Sequence, residues 1–188
     1  MTRPFRAIVY DTETTGLIEN SAIPLKNQPH VIELHAVEVL RGEDGAFKTG
    51  EEWGSLFYAN ELGEKTTEIT GITVDMTRCA PKFATKLPEL SDFFLGATHQ
   101  VGHNLSYDMD MLHLELRRVG MEKAFPWPPI PICTVEHTET MKGFRLGLND
   151  LHEELFGERF EDHHRAAPDT RATARCVVEL LNRGVIRA

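Results

Sequence analysis

Two carboxylates stand two positions apart in the segment DTETTGL, which directly follows an apolar run at residues 7–10. Because side chains alternate along a β-strand, Asp11 and Glu13 project from one face of a strand that continues through them. Paired carboxylate oxygens are hard ligands that suit Mg²⁺ and similar cations. Gly16 then lets the chain turn with its backbone close to a ligand. Taken alone, the motif is better explained by a solvated strand end with an ordinary turn.

Two later segments place an acid at the start of a predicted helix, GHNLSYD ending at Asp108 and HHRAAPD ending at Asp169. The helix dipole favours a carboxylate in the first turn, so capping explains each acid separately. Asp110 is a competing acid on the first of these helices, and His164 is either a surface histidine or part of a site. Loops gather at strand ends and helix starts of an α/β fold, so we expect the three acidic segments to meet.

The hydrophobic pattern predicts a sheet with helices on its faces. Three strands with short connections come first and predict an antiparallel meander, and the later alternation of helix and strand predicts a mixed α/β sheet. The second strand, at residues 31–40, alternates apolar and polar residues and is expected to be half-buried. The predicted strands are residues 7–10, 31–40, 52–59, 99–101 and 130–134, and the predicted helices are residues 81–95, 108–119, 149–156 and 169–182.

Composition narrows the class of protein. A chain of 188 residues with 41% apolar residues fits one compact domain over residues 1–188. No apolar run approaches the ~20 residues of a membrane span, so we expect a soluble, cytoplasmic protein that does not bind membranes. Three widely spaced cysteines predict reduced thiols, two of them in the core. A net charge of −9 argues against a general basic surface that coats duplex nucleic acid.

The chain resembles the DEDD exonucleases, in the histidine-containing branch that includes ribonuclease T and the proofreading subunit of bacterial replicative polymerases. The resemblance follows the chain almost throughout, and its D-x-E, N-x-x-x-D and H-x-x-x-x-D elements occur together in the right order. The matching stretches are IVYDTETTGL, VIELHAVEV, ITGIT, VGHNLSYD and HRAAPDTRAT. It implies a ribonuclease-H-like fold, which is a mixed five-stranded sheet with flanking helices, and hydrolysis of nucleic acid from the 3′ end.

The resemblance also implies residue roles. Two Mg²⁺ or Mn²⁺ ions are expected on four acids, His164 is the expected general base, and two segments are expected to contact the terminal nucleotide. Tyr107 replaces the more usual phenylalanine, and Pro168 before Asp169 is also a departure. The expected metal ligands are Asp11, Glu13, Asp108 and Asp169, and the expected substrate contacts are Thr14, Thr15, Gly16, Leu17, His103, Asn104 and Tyr107.

Phosphodiester hydrolysis fits this set of residues. The reaction needs an activated water and a stabilised leaving alkoxide, and hard cations about 4 Å apart provide both for an in-line displacement. Without cations, four converging acids would repel each other. A histidine, whose ordinary pKa is ~6.5, can accept a proton at neutral pH.

Other site types fit less well. His152-Glu153 lacks the second histidine of a metalloprotease helix, His99 and His103 flank a strand, and no phosphate-binding loop of the G-x-x-x-x-G-K type is present. A catalytically silent nucleic-acid-binding module of a replication or repair complex remains the alternative function. The presence of all four acids together with His164 argues against this alternative, because binding alone needs no general base.

The substrate is less constrained than the reaction. No run of Lys and Arg accompanies the acids, so a short single-stranded 3′ end of DNA, or short RNA, is preferred over extended duplex. A polymerase partner and a homodimer both remain open. The candidate phosphate contacts, each of which is also explained as a solvated side chain, are Lys142, Arg145, Arg159 and Arg165.

Overall fold

The computed structural model describes residues 4–19, 23–160 and 164–187. A five-stranded mixed sheet has the order β3-β2-β1-β4-β5, which confirms the predicted fold class. β1, β2 and β3 form the predicted antiparallel meander, while β4 lies parallel to β1 and β5 parallel to β4. The strands are β1 Arg6–Thr14, β2 Val31–Arg41, β3 Phe47–Leu56, β4 His99–Gly102 and β5 Ile130–Cys133.

Helices cover both faces of this sheet. The four predicted helices are present, although two of them begin three residues earlier than expected. The helices of the described residues are α1 Glu64–Thr70, α2 Val74–Arg78, α3 Phe83–Phe94, α4 Leu105–Arg118, α5 Thr134–Lys142, α6 Leu148–Phe156 and α7 Ala166–Asn182, and a 3₁₀ turn lies at Leu25–Asn27. Of these, α1, α2 and α5 were not predicted from the sequence.

The core has one apolar layer on each side of the sheet. Leu34 and Ala36 of β2 pack with α3 and α4, whereas Val37 and Val39 pack with α7. Residues 31–39 are therefore buried on both faces, and the expectation of a half-buried second strand is wrong. The polar residues of this strand are buried too, which requires that each finds a partner.

The third strand begins earlier than predicted. It runs over Phe47–Leu56 rather than residues 52–59, and its first half is exposed at the edge of the sheet. Phe57 still donates its backbone N–H to the carbonyl of Ile32 at 2.8 Å and is buried, which explains why the apolar pattern continues past the strand. Sequence hydrophobicity therefore reported the burial of this segment rather than the limits of its hydrogen-bonded ladder.

The cysteines are free thiols, but they differ in burial from the prediction. Cys176 on α7 is buried, Cys133 is intermediate and Cys79 is exposed, so one cysteine rather than two is fully in the core. Within the described ranges, no helix has the length and apolar character to cross a membrane.

The topology brings several element ends together. β1 runs antiparallel to β2 and parallel to β4, so the end of β1 lies beside the start of β2 and the end of β4. The chain passes from β4 directly into α4, and α7 packs across β1, β2 and β3. The carboxyl end of β1 and the starts of α4 and α7 therefore meet at the same end of the sheet, as the sequence predicts.

Candidate active site

Three carboxylates form a cluster at the carboxyl end of β1. Asp11 and Glu13 come from β1, and Asp169 comes from the first turn of α7. One carboxylate oxygen of each lies within 4.8 Å of the others. The strand runs through Asp11 and Glu13 rather than stopping before them, which puts both side chains on the same face. Three acidic side chains from two elements thus converge on a space of the size that a cation occupies.

Asp108 approaches the cluster from α4. It is buried, and its Oδ1 accepts hydrogen bonds from the backbone N–H of Thr12 at 2.9 Å and from the Thr12 hydroxyl at 2.7 Å. Thr12 points away from Asp11 and Glu13 along the strand, so it fixes the start of α4 against β1. Asp108 is not one of the three acids whose oxygens lie within 4.8 Å of one another, but its negative charge, after burial, contributes to the raised pKa of Asp11.

The acids of this site disfavour each other's ionised forms. Burial, followed by the charge of Asp108 and then Glu13, raises the pKa of Asp11 well above its ordinary value. Burial and then the charge of Asp169 raise the pKa of Glu13 to about 8. Burial raises the pKa of Asp108 to about 7, against the opposing effect of the Thr12 hydrogen bonds. A divalent cation would relieve this repulsion, and hard oxygen ligands are the type that Mg²⁺ and Mn²⁺ prefer.

His164 lies on the chain directly before α7. It has a left-handed backbone conformation with φ of 70°, which is unusual for a residue with a side chain. Its backbone N–H donates to Asp169 Oδ2 at 3.0 Å, and the residue is exposed. The histidine is therefore tied to a carboxylate of the cluster through its backbone. Its neighbour His163 lies outside the described residues.

The predicted substrate segment after β1 packs against Tyr107 of α4. The Tyr107 hydroxyl and the Thr14 hydroxyl lie 2.8 Å apart, and both donate to the carbonyl of Gly16, at 2.9 and 2.8 Å. Thr15 donates its N–H to the carbonyl of His30 at 2.9 Å, which joins the segment to the start of β2. Leu17 follows with 79% of its surface exposed, so this segment ends in a large, exposed apolar side chain.

His103 and Asn104 form the turn between β4 and α4. His103 Nδ1 lies 2.8 Å from the Thr134 hydroxyl, and burial lowers the pKa of His103 to about 4, so this histidine is neutral at pH 7. Asn104 is exposed, with a left-handed φ of 68° at the helix start. Asp110, the competing acid, is exposed and lines a groove with residues of the 18–28 segment rather than the carboxylate cluster.

The four candidate phosphate contacts are all engaged by acids. Arg165 pairs with Glu33 in two parallel hydrogen bonds, at 2.9 and 2.7 Å. The other three form ion pairs on α5, α6 and the loops beside them, namely Lys142 with Glu154, Arg145 with Glu139, and Arg159 with Glu153 and Asp150. The hypothesis that these side chains stand ready for phosphate is therefore not supported by their contacts.

Glu33 is a site residue that the sequence reasoning missed. It is the register partner of Glu13 on β2 and is 8% exposed. The available signal was an acid inside a strand that is otherwise apolar, which is costly unless a partner neutralises it.

Comparison with known proteins gives one family. The family model described as exonuclease, of the RNase_T type, matches residues 8–177. Among curated proteins, the PolC-type DNA polymerase III of Oceanobacillus iheyensis is 32% identical over 180 residues, which are 94% of this chain and 11% of that protein. The chain therefore spans about one ninth of the length of this relative.

Solved structures share the fold. The nuclease domain of 3′hExo, described as a DEDDh family member bound to rAMP, superposes with a TM-score of 0.75 at 17% identity, over 97% of this chain and 94% of that one. E. coli exonuclease I in complex with a dT13 oligonucleotide gives a TM-score of 0.71 at 17% identity, over 95% of this chain and 41% of that one.

Proposed function

This chain belongs to the exonuclease family, and we propose that it removes nucleotides from the 3′ end of single-stranded DNA or short RNA. Each cycle hydrolyses the last phosphodiester bond and releases a nucleoside 5′-monophosphate. In this proposal residues 1–188 act as a single exonuclease domain. The family assignment rests on the match over residues 8–177, while the polarity, the substrate and the residue roles are our proposal.

The observation that carries the proposal is the carboxylate cluster. Asp11, Glu13 and Asp169 converge within 4.8 Å, and burial, followed by the charges of neighbouring acids, raises the pKa of Glu13 to about 8. We assign two Mg²⁺ or Mn²⁺ ions to these acids together with Asp108. Such ions supply Lewis-acid stabilisation of the charge that develops on the phosphate and the leaving oxygen.

The protein's own groups orient the reactants. Asp108 is held by two hydrogen bonds from Thr12, so its second oxygen keeps a fixed direction. His164 stands on the chain between the cluster and solvent, and we assign it the role of the base that accepts a proton from the attacking water. The bond from its N–H to Asp169 keeps this histidine beside the cluster.

Recognition of the terminal nucleotide is assigned to the two segments beside the acids. The exposed Leu17 offers an apolar surface for a base, and the turn that carries it is fixed by the Tyr107 and Thr14 hydroxyls. His103 stays neutral at pH 7 and can serve as a hydrogen-bond partner, and Asn104 offers its amide beside it.

A single-stranded substrate agrees with the charge of the protein. The net charge is −9, and the four basic side chains considered as phosphate contacts are paired with acids, so long-range attraction to duplex DNA is weak. The structure of E. coli exonuclease I with dT13 is a complex of the same fold with such a strand. Because the chain is similar to part of a PolC-type DNA polymerase III, we propose that it acts in association with a polymerase.

The test is an assay on oligonucleotides of DNA and RNA labelled at the 5′ end. With Mg²⁺ or Mn²⁺ we expect a ladder of progressively shorter labelled products, and a 3′ phosphate should slow the reaction. A covalently closed single-stranded circle should resist. Cleavage of the circle at a comparable rate would contradict the 3′-end mechanism, and binding without any cleavage would favour the silent nucleic-acid-binding module.

A further inference from the structure

Glu33 is a buried acid at the edge of the site that does not belong to the three-carboxylate cluster. Its Oε2 accepts hydrogen bonds from Arg165 Nε at 2.9 Å and from the backbone N–H of Ala166 at 3.0 Å, and its Oε1 accepts from Arg165 Nη2 at 2.7 Å. Both oxygens of this carboxylate therefore accept hydrogen bonds, from three donors in total. A planar guanidinium that binds both oxygens fixes direction as well as charge.

The position of Glu33 makes its neutralisation important. Glu33 and Glu13 are register partners on antiparallel strands, so their side chains project from the same face as neighbours. Two ionised acids in register on neighbouring strands repel, and the Arg165 guanidinium that binds Glu33 brings a positive charge next to this pair. Arg165 thus offsets a charge that would otherwise add to the repulsion in the cluster.

The same contacts hold the start of α7. The N-cap residue, Arg165, makes no side-chain capping hydrogen bond, and Glu33 on β2 accepts the N–H of the first helical residue, Ala166. Asp169 lies three residues further along. His164, which has a left-handed backbone conformation, directly precedes the anchored Arg165. Its own N–H donates to Asp169.

We propose that Glu33 and Arg165 form a positioning pair, which locks the start of α7 to β2 so that His164 and Asp169 keep their place beside the cluster. Neither residue contacts the reacting atoms in this inference, which rests on the proposed function. It replaces the sequence-based hypothesis that Arg165 binds a phosphate. The two roles differ in the kinetic constant that they control.

The experiment compares Arg165→Met, Glu33→Gln and the double variant in the 5′-label assay at saturating Mn²⁺, well below the lowest Tm. Misplacing a catalytic group by about 1 Å costs on the order of 10²-fold in rate. We therefore expect Arg165→Met to lower kcat by about 10²-fold with KM within about threefold. Arg165→Met leaves Glu33 unneutralised beside Glu13, so adding Glu33→Gln should restore part of kcat.

The matched control is the pair formed by Arg171 and Glu52. Arg171 also joins α7 to the sheet through two hydrogen bonds, at 2.9 and 2.7 Å to Glu52 Oε2, without touching the cluster. Arg171→Met and Glu52→Gln should keep kcat within about threefold. A merely stabilising role for Arg165 would lower Tm in both sets of variants and leave kcat and its pH profile unchanged in both.

The outcomes are separable. If wild type has no cation-dependent exonuclease activity, the proposed function fails and this inference fails with it. If wild type is active and Arg165→Met matches Arg171→Met in kcat, only the positioning pair is overturned. A raised KM with unchanged kcat would instead make Arg165 a phosphate contact. Should Arg165→Met not fold, Arg165→Lys and Glu33→Gln carry the same comparison, with an expected loss of about tenfold in kcat.

Discussion

Helix α4 carries two buried acids in opposite surroundings. Asp108, in its first turn, lies near enough for its charge to act on Asp11, and burial raises its own pKa to about 7. Glu115, two turns later, accepts hydrogen bonds from the N–H of Val31 at 3.1 Å and from Arg118 Nη1 at 2.7 Å, with His30 Nδ1 at 3.1 Å. One acid therefore lies among other acids, and the other has a cation and two more donors.

Arg118 shows what the second arrangement does. Its Nη2 lies within hydrogen-bond distance of three backbone carbonyls in the segment that leads into β2, so its charge is shared between Glu115 and carbonyl oxygens. The acceptors are the carbonyls of Leu25, Gln28 and Pro29. A buried acid that is neutralised in this way joins elements together, whereas an acid left among like charges stores repulsion that a cation can relieve. The start of α4 therefore carries an acid of the proposed site, whereas its last turns carry an acid that joins elements of the fold.

Removing a cluster acid is the strongest way to test this contrast. Asp11→Asn should lower kcat by roughly 10³-fold or more, because a cation ligand beside the reacting phosphate is lost. In excess chelator its Tm should equal or exceed that of wild type, because repulsion is relieved. Kinetics and thermal unfolding on the same preparation measure both effects. A variant that lost stability together with activity would make Asp11 a structural acid like Glu115.

The assignment of the base gives the next largest effect. His164→Ala should lower kcat by about 10² to 10⁴-fold, the usual scale for general base catalysis, with Mn²⁺ affinity little changed. His163→Ala is the neighbouring control and should be mild. The pH dependence of the wild-type rate should change in His164→Ala, because the proton acceptor is removed. Calorimetry that showed collapsed Mn²⁺ affinity in His164→Ala would refute the role.

The other end of α4 should respond in stability. Arg118→Met leaves the buried Glu115 without its cation, and we expect a loss of about 3 to 5 kcal/mol in the free energy of unfolding. Urea denaturation measures it. At a temperature where the variant is folded, its kcat should stay within about threefold of wild type. A loss of activity larger than this would show that the Glu115 region also positions the site, and the contrast along α4 would fail.

The pH dependence of stability tests the repulsion itself. The pKa of Glu13 is about 8 in the folded protein against an ordinary 4.5, so the folded state binds more protons than the unfolded state between these values. The free energy of unfolding in chelator should therefore fall as pH rises from about 4.5 to about 8. We expect Tm to drop by roughly 5 °C or more over this window. Mg²⁺ or Asp11→Asn should flatten the curve, and a flat curve in wild type would contradict the account.

The smallest expected effect concerns Tyr107, whose hydroxyl contacts the turn after β1. Tyr107→Phe keeps the ring and removes the hydroxyl that contacts Thr14 and the carbonyl of Gly16, at 2.8 and 2.9 Å. We expect KM for the oligonucleotide to rise by about two- to fivefold with kcat nearly unchanged, because one hydrogen bond contributes about 1 kcal/mol. Steady-state kinetics distinguish this from the kcat effects at the acids, and an unchanged KM would remove the turn from the binding site.

The sequence predicted the parts of the fold that have a clear period. The apolar stripe of Phe83, Leu87, Leu90 and Phe94 predicted α3, and these four residues are the buried ones of that helix. Helices α1 and α2 have seven and five residues, too few for a helical period to be visible. α5 follows directly on β5 and begins with Thr134 and Val135, residues that favour strands by propensity. Because of this propensity, the sequence predicted that the strand would continue through Thr134, and the start of the helix was missed.

The site was predictable where it depends on local position. Asp11, Glu13 and Asp169 were expected to meet because of the element ends they occupy, and they do. The bonds from Thr12 to Asp108 and from Arg165 to Glu33 depend on strand register and helix packing, which no local pattern encodes. The catalytic and binding roles given to the site residues remain predictions that only the assays above can test.

The most direct test of the account is the cation dependence of hydrolysis measured alongside cation dependence of stability. Mn²⁺ is titrated into chelated wild-type protein, and both Tm and the rate of shortening of a 5′-labelled single-stranded oligonucleotide are followed. The account predicts no hydrolysis in chelator, and a rise of Tm and of rate over the same range of Mn²⁺, both absent in Asp11→Asn. Undiminished hydrolysis in excess chelator would contradict it.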